Sequence, residues 1–485
     1  MPSIKKNFFW STLLTVAGYL FPLVTFPYVT RVLGVEGLGQ YQFAYSTVEY
    51  FSIIAMLGMG TVGIREIAKV KGNRREMSKV FSSLICLNLL TTLVAILALF
   101  VLTLVIPSFI AHNKMLYIGL ARILCGTLLI EWFFKGLEDF RFITIRAIAV
   151  RFIFVLAVFV FVRDENDYII YFLLTSLTVA VNAVINILYS RKYVDFSFKG
   201  ISIRSFTKPV IILGIYQILT AMYTSFNVIY LGAQCGDIEV GYYSTATKLY
   251  ILIMSVFTSF TGVMLPRMSS YVANGKDVEF KTMTSKSLDF LLLFTMPLIV
   301  ISEVFAPQII RLIAGAGYEG AIIPMRMVMP LMLIIGYEQI IIIQMLMPLS
   351  KDNAILTNSI VGAIVGIILN LTLVHIFASK GSAIVWIGSE LAVMISAQCF
   401  VTKYTGYIFP YKKIISSVIC YMPLFLFCFF LSKTSTNWIV AMIVGIVVVA
   451  LCSFFIELYI LKNELLRGNF HMIKSRFFEK NQFKR

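Results

Sequence analysis

Three acids and three bases stand in stretches of this sequence that are otherwise built from apolar residues. Glu49, Glu338 and Glu390, with Arg122, Lys248 and Arg326, interrupt runs such as AYSTVEYFSIIAM at 44–56. In lipid such charges are tolerated when they face a bundle interior, a partner or water. Carboxylates placed this way can take up and release a proton or hold a cation. Arginine can grip a phosphate in a planar fork, and lysine can attract one as a point charge. Two readings follow. The charges line a polar cavity, or they are buried ion pairs that fix helix packing and are silent in function. Taken as a set, they predict a cavity. Glu131, Asp289 and Glu303 lie nearer the ends of apolar runs. Asn182, Asn186, Asn227 and Asn370 read as helix–helix hydrogen-bonding residues.

The elements that must position these groups are membrane spans. Of 485 residues, 59% are hydrophobic and 13% charged, and the mean hydropathy is +0.89; a soluble domain is about a quarter charged. A span needs about 20 apolar residues. On that criterion fourteen are expected, at 8–32, 38–64, 80–106, 115–134, 143–162, 167–190, 207–232, 240–265, 287–310, 321–349, 354–378, 382–402, 411–432 and 436–461. All six deep charges fall on even-numbered spans. The first run follows Lys5 and Lys6 but is long and lacks a small-x-small cleavage pattern, so it reads as a span and not a signal peptide. Pro22 and Pro27 should bend it, because each removes a backbone hydrogen bond.

The charge balance of +17 comes from 41 Lys and Arg against 24 Asp and Glu. Thirty-two of those bases fall on one face, counting Arg146 and Arg151, and the richest loop is REIAKVKGNRREMSK at 65–79. The positive-inside rule then places both termini in the cytoplasm. The excess reads as topology and contact with anionic lipid heads, not as a nucleic-acid surface. The three histidines lie far apart and the seven cysteines form no CxxC, so neither a metal centre nor a disulfide framework is expected. The glycine-rich GVEGLG at 34–39 and GAGYEG at 315–320 lack a flanking strand and read as turns, not phosphate loops.

An internal repeat organises the spans. LGVEGLGQYQFAYSTVEYF at 33–51 and LGAQCGDIEVGYYSTATKLY at 231–250 share Leu-Gly, ten residues, then Tyr-Ser-Thr. Tyr45, Ser46 and Thr47 thus align with Tyr243, Ser244 and Thr245, and Arg65 and Arg267 each close the second helix of their half. The fold class is therefore an all-α membrane protein of two repeated six-helix lobes around a central cavity, plus two C-terminal helices. The expected divisions are 1–200, 201–405, spans 13 and 14 at 406–465, and a basic tail at 466–485. Glu49 is expected to face the cavity opposite the region of Lys248.

With these residues in view, the chain resembles the polysaccharide transporter family of bacterial repeat-unit flippases, within the multidrug/oligosaccharidyl-lipid/polysaccharide exporter superfamily. The segments that carry the likeness are 26–69 (FPYVTRVLG through GIREIAK), EWFFKGLEDFRFITIR at 131–146 and MPLSKDNAILTNSIVGAIVGIILNLTLV at 347–374. The resemblance implies a transporter without catalytic residues. It would move undecaprenyl-diphosphate-linked oligosaccharides across the bacterial cytoplasmic (inner) membrane by alternating access, for O-antigen, capsule or exopolysaccharide assembly. It implies no bound cofactor, with drive from the membrane potential or a proton or ion gradient, and work alongside a polysaccharide polymerase and chain-length regulator. Arg31 and Arg65 carry over as diphosphate contacts and Glu49 as a cavity acid. Arg122, Lys248 and Arg326 join the cationic set, and Glu338 and Glu390 the ion-coupling acids, on depth and charge alone. Rival readings are an ion-coupled drug exporter of the same superfamily, a lipid II flippase, and a membrane glycan polymerase or ligase. The last normally carries a large outer loop that this chain lacks.

Overall fold

The computed structural model describes residues 4–196, 201–434 and 437–467. Nearly all of the expected basic tail at 466–485 lies outside them. Every regular element among the described residues is helical, as the bilayer demands of an open chain: a helix satisfies its own backbone, whereas an unpaired strand edge in lipid cannot.

Among the described residues, eleven helices are long and apolar enough to cross a membrane. There are twelve if Arg204–Ala221 and Ser225–Cys235, bent by 45° at their junction, form one span. The fourteen spans read from sequence divide two of those helices, Phe9–Lys69 of 61 residues and Asp352–Thr405 of 54. At about 1.5 Å per residue, 61 residues would reach about 90 Å, three times a hydrocarbon core of about 30 Å. Such a length has to break, and the breaks are local. Gly34 has φ 65 and ψ −178 inside Ile4–Met56, a combination essentially reserved for glycine. Leu57 turns at φ 40, and Ala378 breaks the His375–Thr405 helix at φ 50 and ψ −126. Pro22 and Pro27 stand in the helix before Gly34. The hydroxyls of Thr25 and Thr30 donate to the carbonyls of Phe21 (3.2 Å) and Phe26 (3.0 Å) there.

The chain divides into two compact units. One comprises Met1–Ser244, Ile313–Gly320 and Gly366–Trp386; the other comprises Thr245–Leu312, Ala321–Val365 and Ile387–Arg485. This grouping differs from the repeat boundary near residue 200, because the first unit runs past it and takes in two later segments.

In the first unit Ile313–Gly320 is fastened beside the Gly34 break, and Gly366–Trp386 to the helices that carry Asn227 and Glu239. The Tyr318 hydroxyl lies 3.0 Å from the Thr30 carbonyl and 2.8 Å from that of Gly34. Thr30 Oγ1 also lies 3.3 Å from the Ile313 carbonyl. Asn227 Nδ2 donates to the Ser382 carbonyl at 2.9 Å, and the Ser379 amide donates to Glu239 at 3.0 Å. At the opposite, basic end of this unit an aromatic core packs Phe81, Trp132, Phe133 and Phe134 with Ile67 and Ile143, all nearly or wholly buried. In the second unit the Asp277–Ile313 helix is the spine, kinked at Phe305. Phe257 and Phe290 stack at 5.9 Å, and Tyr337 donates to Gln398 at 2.5 Å.

Candidate functional site

Tyr41, Tyr45 and Glu49 recur every four residues after the Gly34 break, which places them along one stripe of the helix. The Asn113–Thr127 helix approaches this stripe closely at Gly119, where an added Cβ would sit 2.2 Å from Val48. That approach delivers Arg122 one turn further on. Arg122 Nη2 donates to Glu49 Oε1 at 2.8 Å, and its guanidinium carbon lies 5.0 Å from the Tyr45 ring centroid. Tyr171, from the Tyr168–Ser190 helix, closes the collar with its ring 4.5 Å from Tyr41.

Exposure gives the cluster a direction. The Arg122 side chain is 9% exposed and the Glu49 side chain 36%, so the acid is the open end of the pair. Arg122 Nη1 is buried with no hydrogen-bond partner among the described residues. The pair is electrically balanced, in a setting where either charge alone would be costly. The partner of Glu49 is thus Arg122, from within the same unit, two residues that sequence reading treated as separate candidates. The tyrosine collar was also missed. Its signal was the four-residue spacing of Tyr41, Tyr45 and Glu49.

The second unit holds a different arrangement. Glu338 stands on the Leu331–Gln339 helix and the buried Glu390 on the His375–Thr405 helix. Tyr250, two residues beyond Lys248, is buried in the same unit. The helix widens into a π-helix at Ile340–Leu346, directly after Glu338; such widening is common at functional positions. Arg326 donates through Nε to the Glu303 carbonyl at 2.9 Å.

The structure keeps the two diphosphate candidates from the resemblance apart. Arg31 Nη1 donates to the Pro27 carbonyl at 3.1 Å, and its stem lies against Gly315. Arg65 is half-exposed on the Met59–Lys69 helix and pairs with Glu66 at 2.8 Å.

Arg146 is more than a topological charge. It is buried, with Nη2 donating to Glu131 at 2.7 Å and Nη1 to Asn186. Asn186 and Asn227 do bridge helices, but Asn182 and Asn370 donate within their own helices, to Thr178 and Gly366. An asparagine amide reaches the carbonyl four residues back as readily as a neighbouring helix, and sequence does not separate the two.

A family model described as "Polysaccharide biosynthesis protein" matches residues 4–272, more than half of the chain. The chain belongs to that family. This member of the polysaccharide biosynthesis family is 22% identical over 394 residues to a protein of Escherichia coli (strain K12) provisionally named an O-antigen transporter, covering 81% of this chain and 95% of that one. A protein of Shigella dysenteriae with the same name is 23% identical over 402 residues, covering 81% and 98%. Among solved structures, the lipid II flippase MurJ in an inward closed conformation superposes with a TM-score of 0.75 at 16% identity, covering 93% of this chain and 98% of that one. An inward-facing multidrug resistance MATE transporter gives 0.57 at 14% identity, covering 79% and 95%. These identities establish a shared fold, that of a multi-pass helical membrane protein.

Proposed function

We propose that this protein carries an undecaprenyl-diphosphate-linked oligosaccharide repeat unit from the cytoplasmic to the outer leaflet of the cytoplasmic membrane, by alternating access, for surface polysaccharide assembly. Its family membership and the O-antigen transporter names of its relatives support the class of cargo. One observation carries the mechanism: a buried arginine, Arg122, has one nitrogen committed to the half-open Glu49 and another unused. A diphosphate arriving at this point meets a fork-shaped donor already charged and oriented. Protonating Glu49 releases Arg122 to the phosphate, and losing that proton recaptures it, so Glu49 and the cargo alternate on one guanidinium. The tyrosine collar offers ring faces and hydroxyls to sugars. Glu338 and Glu390 serve as the proton-holding acids of the second unit. Outward movement of an uncompensated anion gains about 2.3 kcal/mol per charge per 100 mV in an inside-negative cell.

Deleting the gene and extracting lipids tests the reading. Accumulation of undecaprenyl-diphosphate-linked oligosaccharide in the inner leaflet, with surface glycan lost, is the expected result and identifies the sugars by mass. Normal surface glycan with altered drug tolerance would replace this reading with an exporter of small molecules.

A further inference from the structure

A polar chamber lies within the second unit, where three segments meet. It encloses about 500 Å³ and is lined by Asp289, Lys412, Lys413, Ser417, Glu457 and Asn463, with apolar walls that include Leu292 and Ile460. Asp289 and Glu457 are each only 2% exposed. Asp289 is paired with Lys413 and also accepts the Glu464 amide at 3.2 Å. Among the described residues Glu457 accepts from neutral donors, the Tyr421 hydroxyl at 3.3 Å and Asn463 Nδ2 at 2.8 Å, while Lys413 on the chamber wall is paired with Asp289. With Lys413 committed to Asp289, a buried carboxylate hydrogen-bonded by neutral donors has room for a further countercharge. Ser417 lines the same chamber at 1% exposure, and its hydroxyl has no hydrogen-bond partner among the described residues. At the rim stands the exposed Lys412, in the first turn of the Tyr411–Thr434 helix, whose N-terminal amides add a positive field.

We propose that this chamber binds the headgroup of a phosphatidylethanolamine molecule from the surrounding leaflet. The primary ammonium donates to the Glu457 carboxylate and the Ser417 hydroxyl, and the phosphate rests against Lys412 and the helix N-terminus. The charge pattern selects this headgroup. An ammonium adds countercharge beside Asp289 and Glu457 and carries three N–H donors, whereas the quaternary amine of phosphatidylcholine has none. Phosphatidylglycerol brings no cation, and the extra carboxylate of phosphatidylserine would face Asp289 and Glu457. This proposal is independent of the cargo and survives or fails apart from it.

The test is native mass spectrometry of the purified full chain titrated with phosphatidylethanolamine, phosphatidylcholine and phosphatidylglycerol of matched acyl chains, and with soluble glycerophosphoethanolamine. Charge-assisted hydrogen bonds of this kind predict that one phosphatidylethanolamine is retained about tenfold more tightly than phosphatidylcholine. Ser417→Ala and Glu457→Gln should erase that preference, and Lys412→Ala should weaken phosphatidylethanolamine binding. Equal retention of the three lipids would overturn the proposal, as would an unchanged preference in Ser417→Ala. Displacement of the lipid by glycerophosphoethanolamine at equal concentration would overturn the membrane as the source. Should Glu457→Gln fail to fold, the lipid series on the unaltered protein and Ser417→Ala still decide the matter.

Discussion

At the residue scale, the Glu49–Arg122 pair makes a prediction about asymmetry. Removing one partner of a buried pair leaves an uncompensated charge, and the cost is set by that orphan more than by the lost attraction. Glu49→Gln should therefore destabilise the detergent-purified protein by about 3 kcal/mol, the low end for a buried pair because the acid is half-open. Glu49→Gln combined with Arg122→Gln should recover part of the loss, as read from thermal unfolding. A second residue-scale prediction concerns His112, which sits between spans. Its Nε2 lies 3.0 Å from Asp237 and its Nδ1 2.7 Å from the Ser108 carbonyl. Burial works against its charge, but the hydrogen bond and charge of Asp237, with the Ser108 carbonyl, outweigh it and raise its pKa above the ordinary value. The sign follows from linkage: a group whose pKa is higher in the folded state stabilises that state fully below its unfolded value, about 6.5. That contribution is lost as pH rises through the folded value. Unfolding temperature should fall over that window in the native protein, and His112→Gln should flatten the dependence.

At the element scale, the breaks in the helices are where the first unit is fastened. Gly34 ends one helical run and begins another, and its carbonyl is held by the Tyr318 hydroxyl. A buried phenol between two backbone carbonyls contributes about 1–2 kcal/mol, because Tyr318→Phe leaves the carbonyls without their donor. That substitution should loosen the turn at Ile313–Gly320. Cysteines introduced beside Gly315 should then react faster with a membrane-impermeant maleimide in whole cells, and an unchanged rate would show that the hydroxyl does not hold the turn. The Gly34 break was legible only as a turn signal in GVEGLG. The break at Ala378 had no such signal, since nothing in HIFASKG marks an alanine for positive φ. Backbone conformations of that kind are imposed by surrounding packing.

For the whole molecule, charge asymmetry makes a topological prediction. With the basic loops on one side, a reporter active only outside the cytoplasm should be silent when fused at either terminus and active when inserted near 113 or 164. The all-helical membrane fold and the span positions were legible because lipid permits few solutions: apolar runs of about 20 residues, with backbone groups satisfied internally.

The sequence by itself therefore determined the solvent the chain lives in, the order of its helices and which charges are too deep to be incidental. Each is a property of local composition, readable without knowing what lies across the bundle. Tertiary structure alone decided the partnerships. Arg122 belongs to Glu49, 73 positions away, and Arg146 belongs to Glu131 and Asn186. Which charge meets which depends on helix rotation and on close approaches such as Gly119 against Val48. Those are set by packing of side chains from distant parts of the chain, and no short stretch of sequence contains them.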